Sequence, residues 1–101
     1  MSLLADHNAQ SIAASVTAWR GESTSIDVLE LLNISDEGAT VHLVNFNGTA
    51  LNWLGTPHGA AYVVRDRVIF DGDSTGETVL EVCACFPDGS ERNASIHLRV
   101  Q

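Results

Sequence analysis

Thr78-Val79-Leu80-Glu81-Val82-Cys83-Ala84-Cys85-Phe86, then Pro87-Asp88-Gly89, then Ala94-Ser95-Ile96-His97-Leu98-Arg99-Val100 is the stretch that decides the fold. In its first run Leu80, Val82, Ala84 and Phe86 alternate with Glu81, Cys83 and Cys85. In its last, Ile96, Leu98 and Val100 alternate with Ser95, His97, Arg99 and Gln101. Successive side chains on a strand point to opposite faces, so a period of two marks a strand with one buried face. Pro87-Asp88-Gly89 supplies the turn chemistry that closes the two runs into a hairpin.

The same pattern extends upstream. Short β-rich runs cover Ser11–Trp19, Ser25–Leu32, Thr40–Asn45, Ala50–Leu54, Ala60–Val64 and Arg67–Phe70. Each is separated from the next by a cluster rich in Gly, Asp, Asn or charged residues, as in Asn47-Gly48 and Pro57-His58-Gly59. The segment Ile26–Leu32 is the best helical candidate and is too short to prevail over the strand signal around it. Evenly spaced short strands predict an all-β fold, an immunoglobulin-like antiparallel β-sandwich of seven to eight strands. Its inward faces would carry Ile12, Val16, Ile26, Val28, Val41, Leu43, Val68, Phe70, Val82, Phe86, Ile96 and Leu98. Residues 1–8 are expected to be a flexible lead-in whose Met1-Ser2-Leu3 start resembles a cloning scar, and residues 9–101 a single domain.

Charge excludes whole classes of partner. Five basic residues, all Arg, stand against 13 acidic ones, for a net charge of −8. Such a surface repels phosphate, which argues against nucleic acid and anionic membranes. No apolar run approaches the ~18 residues of a membrane helix, so direct membrane insertion is not expected. Met1 to His7 lacks both the basic start and the long apolar stretch of a signal peptide.

The order of the punctuations resembles one family, the bacterial immunoglobulin-like, cadherin-like repeats found in tandem in large surface proteins. The resemblance runs from about Ser15 to Val100. It is carried by the Gly21 turn before Ile26-Asp27-Val28-Leu29, the acidic loop ending at Gly38 and the Thr40–Val44 strand. The Pro57-His58-Gly59 corner before Ala61-Tyr62-Val63-Val64, the apolar Val68-Ile69-Phe70 before the loop ending at Gly76, and the closing hairpin complete it. The resemblance implies a non-catalytic structural or adhesive module of a larger bacterial cell-surface or secreted protein. It places the domain extracellularly or at the cell surface, with neighbouring domains of the same parent chain and a protein or glycan on another surface as partners. The alternative is a carbohydrate-binding accessory module attached to an enzyme.

Candidate sites are few. Asp71, Asp73 and Glu77 have alternating oxygen donors around glycines, a spacing that suits calcium but is shorter than an EF-hand loop. An ordinary acidic turn is the preferred reading of them, and no cofactor motif is present. Trp19, Trp53 and Tyr62 are the rings from which a sugar-binding platform would be built, although large aromatics more often fill a core or its rim. His7, His42, His58 and His97 are scattered, with none of the spacing of a zinc site; His42 and His97 fall on outward strand positions. No elbow places a nucleophile beside a base and an acid, so no enzyme is expected. Cys83 and Cys85 point to one face about 6.5 Å apart along a strand, a poor geometry for a disulfide. Two apolar residues in a sheet is the plain reading; a reactive vicinal thiol pair is the other. A metal there would need ligands from elsewhere in the chain. Asn33, Asn47 and Asn93 begin Asn-x-Ser/Thr sequons, taken here as turn chemistry.

Overall fold

The structure, a computed structural model, describes residues 11–35 and 38–101, the first two of them by backbone alone. The expected lead-in over 1–8, His7, the inward placement of Ile12 and the acidic pair Asp36-Glu37 lie outside the described residues.

Among the described residues, nine strands build two facing sheets. The elements are β1 (Ser11–Ala18), β2 (Ser23–Asp27), a one-turn helix α1 (Val28–Leu31), β3 (Thr40–Val44), β4 (Ala50–Leu51), β5 (Trp53–Thr56), β6 (Gly59–Val64), β7 (Arg67–Gly72), β8 (Gly76–Cys85) and β9 (Glu91–Val100). The first sheet has the order β1-β9-β8-β3-β4 and the second β2-β7-β6-β5. The orders β9-β8-β3 and β2-β7-β6 are those of the two sheets of an immunoglobulin-type sandwich. No described helix is long and apolar enough to cross a membrane.

The deciding hairpin forms as its alternation requires. Leu80, Val82, Ala84, Ala94, Ile96, Leu98 and Val100 are all buried between the sheets. Its turn is held by Gly89 N–H to the Phe86 carbonyl at 3.0 Å and Phe86 N–H to the Ser90 carbonyl at 2.9 Å. Gly89 sits at φ 92°, a left-handed conformation that costs a glycine little. The Asp88 carboxylate accepts from the Ser90 N–H at 2.8 Å and the Ser90 hydroxyl at 2.6 Å. Those two donors, the hydroxyl above all, hold its pKa below the usual carboxylate value. Phe86 is drawn into this turn and is only half-buried, not part of the core as expected.

Two further expectations are refined. The run Ser25–Leu32 is not one strand: Asp27 ends β2 and caps α1, its side chain accepting from the Glu30 N–H at 3.2 Å. Helical spacing then puts Val28 and Leu32 on one face, and both are buried. The run Ala50–Leu54 breaks at Asn52, so β4 pairs with β3 in the first sheet and β5 with β6 in the second. Among the described strands one pairing is parallel and the others antiparallel. β1 lies along β9, Ser11 opposite Asn93 and Ala18 opposite Val100. Gln101 N–H to the Ala18 carbonyl (2.9 Å) and Arg20 N–H to the Gln101 carbonyl (2.8 Å) fasten its end before the chain crosses to the second sheet. Strands this far apart in sequence need no local crossover to run parallel, so short-range turn signals could not reveal it.

Candidate functional site

Strand register decides which side chains meet on each outer face. On the first sheet β8 is central, with Cys85 opposite Thr40 on β3 and Glu91 on β9, and Cys83 opposite His42 and Asn93. The alternation that buries Val82 and Ala84 turns Cys83 and Cys85 outward together. Both thiols are free. Their Sγ atoms stand 3.3 Å apart, and Cys83 Sγ lies 3.6 Å from Glu91 Oε1. Despite its outward direction Cys83 is only 5% exposed. A groove of about 480 Å³ opens beside the pair, rimmed by Asn45, Phe46 and Gly48 of the β3–β4 turn and by Asn93. Burial first, then the neighbouring Cys85 thiol and the Glu91 charge, push the Cys83 pKa up to about 12. The Cys83 thiol is therefore protonated and weakly nucleophilic at neutral pH.

The second sheet presents a different face. Trp53 pairs with Tyr62, Tyr62 with Ile69 and Ile69 with Ser25, a row running across all four strands. Leu54 and Val63 pack inward, so this row points outward. Trp53 is 61% exposed, and its ring edge lies over Gly55, where an added Cβ would meet Cη2 at 3.2 Å. Polar groups flank the row: Ser23 Oγ donates to Asp71 Oδ1 at 2.5 Å, and Arg67 bonds Ser25 Oγ at 3.2 Å beside Asp27 at 3.5 Å. Of the three expected rings, Trp53 and Tyr62 are therefore brought together. Trp19 lies apart on the connection between the sheets, half exposed.

The oxygen-rich stretch is separated by the fold. Asp71 belongs to β7 in the second sheet and Glu77 to β8 in the first. Asp71 holds Ser23, while Glu77 lies 3.6 Å from Arg99. Among the described residues Asp71, Asp73 and Glu77 do not form a set of three donor atoms in mutual reach; Cys83, Cys85 and Glu91 do, all within 4.8 Å. Sequence spacing missed Glu91 because it reaches the thiols through hairpin register, not local periodicity. His42 and His97 lie on outward strand positions, and His58 occupies its corner at φ 69° with Nδ1 3.0 Å from Ser74 Oγ. Asn33 and Asn47 occupy turns and Asn93 lies in β9.

Fold and faces together define an immunoglobulin-type β-sandwich with a thiol pair on one sheet and an aromatic row on the other. No family model matches the chain, and no curated relative does. Among solved structures, the crystal structure of Listeria monocytogenes InlP is similar over 90% of this chain, at 16% identity and a TM-score of 0.39. The chain spans 26% of that protein.

Proposed function

We propose that the domain is a non-catalytic structural or adhesive module of a larger bacterial surface or secreted protein. The observation that carries this reading is the parallel β1–β9 pair. Because Ser11 stands opposite Asn93 and Ala18 opposite Val100, the described chain enters the sandwich at one end and leaves at the other. Seven residues of strand separate the two levels, roughly 23 Å. A domain threaded in this way extends an array along its length, whereas one with adjacent ends would hang from it as a branch. The net charge of −8 keeps such arrays soluble and mutually repelling.

The polar side chains support the non-catalytic part. Asp27 with Arg67, Asp71 with Ser23, Glu81 with Ser95, Asp88 with Ser90 and Glu77 with Arg99 are all engaged in pairs that brace strands or turns. The Trp53–Tyr62–Ile69 row is the surface suited to adhesion, since flat aromatic area flanked by hydrogen-bonding groups contributes most to contacts between proteins or with sugars. Antibodies raised against the folded domain are expected to label intact cells of the source organism, and external protease to remove the signal. Labelling that appears only after permeabilisation would contradict the surface assignment.

A further inference from the structure

We infer that Cys83, Cys85 and Glu91 form a binding site for a thiophilic divalent cation, zinc in the first instance. The argument is geometric. A tetrahedral zinc ion with bonds near 2.3 Å to sulfur and 2.1 Å to oxygen holds its sulfur donors about 3.8 Å apart and each sulfur about 3.6 Å from the oxygen. Here Sγ to Sγ is 3.3 Å and Cys83 Sγ to Glu91 Oε1 is 3.6 Å. Opening the two thiols by about 0.5 Å, a small rotation about χ1, brings the sulfurs to the tetrahedral spacing, and all three donor atoms already lie within 4.8 Å of one another. An ion that binds two thiolates in a line would need the sulfurs near 4.6 Å, twice the bond length, which suits this pair less well.

The scaffold favours the same conclusion. All three ligands belong to one hairpin whose register is fixed by ten paired positions, from Gly76 opposite Val100 to Cys85 opposite Glu91. Donors on paired strands are held without the ordering cost of a loop. Cys83 is buried, so the ion is shielded from water on the sheet side, while the adjoining groove leaves the fourth position open. Binding replaces two thiol protons, released to solvent, with two metal–sulfur bonds; no oxidant or reductant takes part.

The test uses the full chain, freshly reduced and kept under nitrogen, titrated with cobalt(II) as an optical substitute for zinc and then with zinc. The expected result is one cobalt per chain, a thiolate-to-cobalt charge-transfer band with tetrahedral d–d bands, and displacement of both by one equivalent of zinc. Cys83→Ser and Cys85→Ser should each weaken binding by about 100-fold or more, and Glu91→Gln by about tenfold. The Glu91→Gln variant removes a charge from an exposed position and leaves the core untouched, so it reads the site even if a cysteine variant folds poorly. Three results would overturn the proposal: no charge-transfer band, binding unchanged in the double variant Cys83→Ser/Cys85→Ser, or closure of the two thiols to a disulfide that reductant does not reopen.

Discussion

Gly59→Ala is expected to destabilise the domain by about 3 kcal/mol or more, the range of severe overpacking. A Cβ added at Gly59 would lie 2.2 Å from the Asp71 carbonyl oxygen and 2.7 Å from Phe70 Cζ. The first contact is decisive because the carbonyl cannot turn away. Asp71 is paired with Ser23 on one side and Ala60 on the other, so relieving the clash means peeling the start of β6 from β7. For a domain of this length the melting temperature should fall by roughly 15 °C. Gly55→Ala is the matched control: its Cβ meets only the outer edge of the solvent-exposed Trp53 ring, at 3.2 Å. Calorimetry should show a large drop for the first variant and a small one for the second. Equal drops would mean that the close approach of β6 to β7 is not what Gly59 provides.

Phe70→Ala has a comparable effect from the opposite cause. Phe70 is wholly buried and the largest side chain in that state, lying between Thr24 on β2 and Ala61 on β6. Truncating a buried phenylalanine costs about 3–5 kcal/mol through lost burial and the cavity left behind. A domain of this size has a total stability of about 5–15 kcal/mol, so the substitution removes a large share of it. In urea titrations the midpoint should fall with little change in slope. A loss under about 1 kcal/mol would show that the neighbouring side chains refill the space. The two substitutions should not add. The Phe70 ring is one of the two groups the new Cβ meets, so Gly59→Ala should cost less in the Phe70→Ala background, with the carbonyl clash remaining.

How much of this was legible in the sequence depends on the range of the interaction. The β8–β9 hairpin was readable because alternation and turn chemistry are local, and its inward residues are those the alternation names except Phe86, which the turn draws out of the core. The helix at Val28–Leu31 was not, since the same apolar run serves as a strand or as one helical turn and the Asp27 cap decides between them. The switch of sheets at Asn52 and the parallel lie of β1 on β9 depend on partners dozens of residues away. The sites divide in the same way. That Cys83 and Cys85 share a face follows from a period of two, but Glu91 joins them only through register across the hairpin. Asp71 and Glu77 look like neighbours in the chain, yet the turn between them leads from one sheet to the other. Trp53 and Tyr62 are separated by a hairpin corner and meet because Thr56 pairs with Gly59 around it.

The claim on which the functional reading depends is that the chain enters and leaves the sandwich at opposite ends. It is tested most directly by nitroxide labels on Ala13→Cys and Gln101→Cys in a Cys83→Ser/Cys85→Ser background, with the separation read by electron–electron dipolar spectroscopy. Ala13 stands opposite Ser95, six residues short of Gln101 along β9. The account predicts a separation of roughly 20–25 Å. Strong short-range broadening, with the labels within about 10 Å, would place the start of β1 beside the end of β9 and contradict an in-line module.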